Sequence, residues 1–227
     1  MGVRLNRAPL VRPEFGPSLP ELLSGRLSVS RRAVTIGAVV FLVVVFFVVR
    51  ALIDDGREQI TVHGKPSYNL LYDPGQLHPV KPTGGEQLHL RGRRKNVAVE
   101  ITARPANLPP FDGDVIGGQL PLYTAQLAER LKAELPGFVM GDEGKARINQ
   151  APGYQLAYTS GSAGNRTYWR EVYVMPKADE PDQTVLLRMS QTFTGRAGPR
   201  GRALLKAAKK AYRSFRFGAH RPLFQGG

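Results

Sequence analysis

The residues able to do chemistry are few and scattered. The four histidines are His63, His78, His89 and His220, and no two stand at i, i+3 or i+4. None has a carboxylate at the spacing a tetrahedral metal site uses. His63 with Asp54 or Asp55 reads first as a solvated linker. Asp112-Gly113-Asp114 is a candidate cation loop, but it lacks the further oxygens and the closing Glu of an EF-hand. Ser160-Gly-Ser-Ala-Gly-Asn165 reads as a hairpin turn, not the strand-to-helix elbow that exposes a nucleophile. There is no cysteine, which removes thiolate nucleophiles, thiolate metal sites and disulfides together. No phosphate-cradling glycine pattern occurs. The expectation is a protein with no catalytic, cofactor or metal set. An envelope hydrolase stands as a second reading, disfavoured for want of a nucleophile–base pair, and a structural spacer as a third.

Binding chemistry is better represented. The net charge is +14, and residues 54–227 carry +9 of it. From Gln183 to the end there are ten basic residues and no acid. Within that quarter Arg196, Arg200, Arg202, Lys206, Lys209, Lys210, Arg213 and Arg216 form a candidate contact for anionic lipid or an acidic polymer. The plainer reading is a solvated helix face. Nucleic acid is disfavoured by the compartment derived below. The second candidate is the strand Thr167-Tyr-Trp-Arg-Glu-Val-Tyr-Val174 beside Gly153-Tyr-Gln-Leu-Ala-Tyr-Thr-Ser160. Tyr154, Tyr158, Trp169 and Tyr173 make either a packed core beneath a helix or an aromatic pocket or partner surface.

These groups need a scaffold, and the periodicities supply one. Val97, Val99, Ile101 and Ala103 alternate with polar residues, the clearest strand in the chain. Residues 67–72 and 86–92 read as shorter strands, with a charged turn at 93–95. Residues 106–118 form a Pro/Gly-rich loop. Leu120, Thr124, Leu127, Leu131 and Leu135 repeat at helical spacing, with Pro121 in the first turn and Pro136-Gly137 as the stop. Residues 138–144 and 145–149 read as two short strands. Three alternating runs then end near residues 160, 176 and 193, an antiparallel meander. A last helix carries Leu204, Leu205, Ala208, Ala211, Tyr212 and Phe215 inward and Lys206, Lys209, Lys210 and Arg213 outward.

Upstream, Ala33–Val49 is seventeen residues without a charge. With Ala51–Ile53 the span is about 31 Å of helix, close to the hydrocarbon thickness, if Arg50 snorkels. A cleaved secretory core is usually shorter, so the stretch reads as one transmembrane signal anchor. Arg4, Arg7, Arg12, Arg26, Arg31 and Arg32 precede it and Asp54 and Asp55 follow, which puts the amino terminus in the cytoplasm and the rest outside. The expected layout is a disordered cytoplasmic tail over 1–32, the anchor over 33–53, a linker over 54–66, one domain over 67–217 and a tail over 218–227. Arginine exceeds lysine by 23 to 9, which suits a GC-rich bacterial genome.

The order of these elements, with Tyr72-Asp-Pro, Ile148-Asn-Gln-Ala-Pro-Gly-Tyr-Gln-Leu-Ala-Tyr, Thr167-Tyr-Trp-Arg-Glu-Val-Tyr-Val-Met and the closing Ala211-Tyr-Arg-Ser-Phe-Arg-Phe, resembles the PsbP-like superfamily over roughly residues 66–217. The resemblance implies an α+β fold, an antiparallel β-sheet flanked by helices as an α/β/α sandwich. It also implies binding of proteins or small lipids rather than catalysis. The expected role is a membrane-anchored accessory domain at the cell envelope, in contact with a protein complex or with an anionic lipid or polymer.

Overall fold

Apolar residues without a proline make one unbroken helix, α1 (Arg31–Ile53). It belongs to the first of two units, Met1–Asp55 and Gly56–Gly227. The computed structural model describes residues 31–53, 56–109, 111–178 and 180–218, and side chains in α1 from Thr35 to Phe46. Among the described residues no helix is long and apolar enough to cross a membrane. Of the tail expected over 1–32, residues 1–30 lie outside them and Arg31 and Arg32 instead begin α1; Asp54, Asp55 and residues 219–227 also lie outside.

The second unit is built on alternation. Its strands are β1 (Glu58–Val62), β2 (Tyr68–Tyr72), β3 (His78–Pro79), β4 (Leu88–Arg94), β5 (Val97–Pro105), β6 (Val139–Ile148), β7 (Ala151–Ser162), β8 (Asn165–Val174), β9 (Val185–Phe193) and β10 (Arg216–Phe217). Helix α2 is Leu120–Glu134 and helix α3 is Pro199–Arg213. Seven strands form one antiparallel sheet in the order β3-β4-β5-β9-β8-β7-β6. A smaller sheet has the order β1-β2-β10. The mixed α+β class with antiparallel sheets is as expected.

Side-chain parity puts the helices on opposite faces. Successive residues of a strand point to opposite sides. Val172, Val174 and Leu187 share a core with Leu204, Ala208 and Tyr212 of α3. Their neighbours Tyr173 and Leu186 share the other core with Leu120 of α2. The sheet is therefore sandwiched, and strands β8 and β9 feed both cores.

Helix α3 lies over β2, β4 and β5 rather than the middle of the sheet. Two glycines allow the close approach. A Cβ on Gly92 would stand 2.5 Å from the Gln76 carbonyl and 2.6 Å from Leu204 Cδ1. One on Gly201 would stand 3.0 Å from Val97 Cγ2. The helix end is tied to the small sheet by Ser214, whose Oγ accepts from Leu71 N at 2.8 Å and donates to Leu71 O at 3.0 Å.

Four segments depart from expectation. The last helix, expected to carry Phe215, ends at Arg213, and Arg216–Phe217 pair with β2 as β10. Residues 58–62, read as linker, are strand β1, whose register on β2 runs Glu58↔Tyr72 to Val62↔Tyr68. Its Ile60 and Val62 pack partly against the main core, two apolar residues too few to stand out between Gly56 and Gly64. The two short strands read over 138–149 are one strand, β6. Gly141 and Gly144 look like breakers in sequence but sit at and beside a register shift between Met140 and Glu143. The turn read at 93–95 falls later, at Lys95-Asn96, with Lys95 at φ 44.

Gly92→Val should destabilise the domain by about 2 kcal/mol or more, because a backbone carbonyl on one side and a packed helix on the other leave the new side chain nowhere to go. A urea midpoint within error of the parent would show that α3 is not held at this distance.

Candidate functional site

The two residue sets singled out in sequence lie on opposite faces of the sheet and have different fates. Register pairs Tyr154 with Tyr173 and Tyr158 with Trp169, so all four do share one side. It is the side under α2, and three of them are buried. Tyr158 stacks on Trp169 with centroids 5.9 Å apart and meets Phe138 at 5.4 Å. Tyr173 meets Tyr123 of α2 edge-on at 5.5 Å. Trp169 Nε1 donates to Ser160 Oγ at 2.9 Å.

Inside this cluster lies a carboxylate that sequence reasoning did not single out. Glu171 has no exposed surface. Its Oε1 accepts from the Tyr158 hydroxyl at 2.8 Å and lies 2.9 Å from Arg188 Nε. The Arg188 guanidinium sits 5.7 Å over the Trp169 ring. Burial first, then the Glu171 charge, pushes the Tyr158 and Tyr173 hydroxyls well above the ordinary tyrosine range. Glu171 Oε1 thus holds both partners, a structural ion pair inside an aromatic core, while its Oε2 has no hydrogen-bond partner among the described residues.

The acidic loop is likewise occupied. Asp114 Oδ1 accepts from Ile116 N at 3.0 Å and Gly117 N at 2.9 Å, capping the π-helical turn Val115–Gln119. The Gly117 N–H hydrogen bond holds its carboxyl below the usual carboxylate range. His89 stands between Glu86, at 3.2 Å, and Glu100, at 3.9 Å, while Arg91 takes Glu100 at 2.6 Å. Among the described residues no group of three or more acids or histidines is arranged to hold a metal ion.

The open feature is on the α3 side. Because α3 sits over β4 and β5, a trough is left between its outer edge and strands β8 and β9. One depression of about 630 Å³ is lined by Arg166, Tyr168, Gln191, Phe193 and Arg196. A second, of about 460 Å³, is lined by Tyr168, Arg170, Gln191, Lys206, Lys209 and Arg213. They share Tyr168 and Gln191, so they form one groove. Six cations line it and no carboxylate does. None of the six makes an ion pair among the described residues. Arg170 forms part of the floor, half-buried, with its guanidinium 5.8 Å over the Tyr212 ring and its Nη2 donating to Gln155 Oε1 at 2.7 Å. Tyr168 is 47% exposed and meets Phe193 edge-on at 5.5 Å.

Of the eight basic residues expected to make a contact, Arg196, Lys206, Lys209 and Arg213 line this groove. Arg200, Arg202 and Lys210 are exposed but line neither depression, and Arg216 is half-buried in β10. Arg166, Tyr168 and Arg170 were missed. Their signal was present, since Arg166, Tyr168 and Arg170 stand at i, i+2 and i+4 of one strand, but only the fold sets that strand beside α3.

No protein-family model matches the chain, and no curated protein sequence does. Among solved structures, LpqN of Mycobacterium tuberculosis, titled as involved in cell envelope biogenesis, is similar at 15% identity. It covers 72% of this chain and 92% of its own, with a TM-score of 0.40. Cyanobacterial PsbP of Synechocystis is similar at 11% identity, covering 72% and 93%, with a TM-score of 0.45. These overlaps are too loose for any ligand or partner to pass from either protein to this chain.

Two stability outcomes follow, one from the sealed face and one from the buried tyrosines of both cores. Arg188→Met should cost about 3 kcal/mol, since it strands Glu171 as a lone buried charge, and adding Glu171→Leu should recover most of it. Urea midpoints of the single and double variants check this; equal losses in both would mean the pair does not act as a unit. Burial also raises the hydroxyls of Tyr68 and Tyr212, and burial first, then the Glu58 carboxylate, pushes Tyr72 up to about 12. The folded values lie above the unfolded value near 10, so this stability is complete below about pH 10 and is lost as pH rises past it. Denaturant midpoints should fall steeply there, by up to ~1.4 kcal/mol per pH unit for each tyrosine; a flat profile would contradict the burial.

Proposed function

We propose that this chain is a single-pass membrane protein of the cell envelope, with a non-catalytic PsbP-like domain that binds an anionic ligand through the face of α3 and β8. In this reading Ala33–Ile53 is retained as the anchor, the amino terminus is cytoplasmic and the domain extracytoplasmic. The observation that supports it best is the groove whose six cations make no ion pair, and which no carboxylate lines, among the described residues. Like charges gathered on three separate elements repel one another and lower stability unless something else favours them. An anionic partner does so, whether an anionic lipid, an acidic polymer or an acidic face of a protein complex. The aromatic set Tyr154, Tyr158, Trp169 and Tyr173 then serves as core, holding β7 and β8 flat against α2.

The test is co-flotation of residues 57–227 with neutral and anionic vesicles at low and high salt. Binding is expected to anionic vesicles alone and to disappear in high salt. Each cation near such a surface contributes ~1 kcal/mol, so neutralising Lys206, Lys209, Lys210 and Arg213 to Gln should lower partitioning roughly a thousandfold. Unchanged partitioning in that variant would leave the basic face a solvated surface.

A further inference from the structure

We propose, resting on the anionic-ligand reading above, that the groove is a binding site for an acidic glycan, a chain of sugar rings each carrying an anion, laid along β8 with one ring on Tyr168. Three observations carry this.

The first is spacing. Arg166, Tyr168 and Arg170 alternate on one face of β8, so along the backbone a basic residue follows about 7 Å to each side of Tyr168. That order of cation, ring and cation along an extended strand matches a polymer in which anions and rings alternate. Lys206, Lys209 and Arg213 of α3 line the same groove from the other bank, and Arg196 lines its far end.

The second is depth. Arg170 is half-buried beside the Tyr212 ring. A flat bilayer surface reaches outward cations such as Arg200 and Lys210 as readily as any, but not a guanidinium at the floor of a trough. A single strand of polymer does.

The third is the ring itself. Tyr168 stays 47% exposed although it is large and apolar, and the edge-on contact with Phe193 fixes its plane. The C–H face of a sugar packs on such a ring, while the Gln191 amide, shared by both depressions, is placed for hydroxyl groups. Grooves for single-stranded nucleic acid stack successive bases on several rings. Here Phe193 and Trp169 are half-buried, Trp169 stacking on Tyr158, and Tyr212 is buried, so Tyr168 is the one exposed ring among those lining the groove.

The experiment uses the full chain in neutral-lipid nanodiscs, titrated with polygalacturonate oligomers, inorganic polyphosphate of matched charge and single-stranded oligothymidylate. Polygalacturonate should bind about tenfold tighter than polyphosphate. Tyr168→Ala should remove that difference, about tenfold for polygalacturonate and nothing for polyphosphate, the size of an aromatic contact truncated at a binding site. Tyr168→Phe should keep the difference, which separates loss of the ring from loss of the fold. Arg170→Gln should weaken both ligands. Equal affinity for the two polyanions, indifference of polygalacturonate to Tyr168→Ala, or tighter binding of oligothymidylate would overturn the glycan assignment while leaving the anionic-ligand reading in place. Binding of none of the three would defeat both.

Discussion

The close seating of α3 on the sheet is the constraint from which the rest of the second unit follows. Gly92 and Gly201 remove the two side chains that would hold the helix off β4 and β5. With them gone, Leu204 and Ala208 reach the apolar residues of β4 and β5, and Tyr212 O–H donates to Leu187 O at 3.3 Å. Seated there, the helix cannot also cover the outer part of β8. The seven-stranded sheet is wider than one helix, since strands stand about 4.8 Å apart and a helix is about 10 Å across. On the α2 side the corresponding width is closed by aromatic side chains. On the α3 side it stays open, and the trough is what remains.

The charges around that trough do not all have the same cause. Lys210 and Arg213 lie in the last turn of α3, where cations offset the helix dipole. That accounts for a basic helix end in any protein. It does not account for Arg166 on β8, Arg170 beneath the helix or Arg196 before it, which owe nothing to that dipole. Arg170 is the most telling. A half-buried guanidinium loses hydration, and here it recovers one hydrogen bond from Gln155 and the face of Tyr212, while its Nε has no partner. Glu171, the neighbouring acid, points to the opposite face and is taken by Arg188. The alternation of a strand thus separates an arginine from the carboxylate next to it in sequence, and keeps the trough free of negative charge.

Most of the scaffold was legible because its signals are local. The 97–105 strand declares itself by strict alternation, and both helices by apolar residues three and four apart between Pro and Gly punctuation. The cationic side of α3 was read correctly, down to Lys206, Lys209, Lys210 and Arg213. What escaped was whatever depends on partners distant in sequence. Strand β1 has only Ile60 and Val62 to recommend it and becomes a strand by pairing with β2. Strand β6 looked broken because a bulge uses the glycines that usually end strands. The pairing of β5 with β9, from Val97↔Phe193 to Pro105↔Val185, joins residues 80 to 96 apart, and no local pattern announces it. The groove inherits that difficulty. Arg166, Tyr168 and Arg170 were visible as one strand face, but which helix faces them is decided by β9 lying between β5 and β8.

The same logic explains why the aromatic residues most conspicuous in sequence are not those left for a ligand. Alternating large aromatics on two adjacent strands, Tyr154 and Tyr158 against Tyr173 and Trp169, bury a great deal of apolar area and are therefore the first to be enclosed. A buried ion pair is carried within them, with Tyr158 and Arg188 both on Glu171 Oε1. Tyr168, one residue from Trp169, faces the other way and meets no helix. Its exposure follows from the position of α3, and the position of α3 from two glycines. Sealing one face with aromatics fixes β7 and β8 rigidly from behind, so the row of cation, ring and cation on the front of β8 is held by a backbone that has little freedom to move. A binding surface presented by a strand in this way is preorganised, and its ligand meets a fixed spacing rather than a flexible loop.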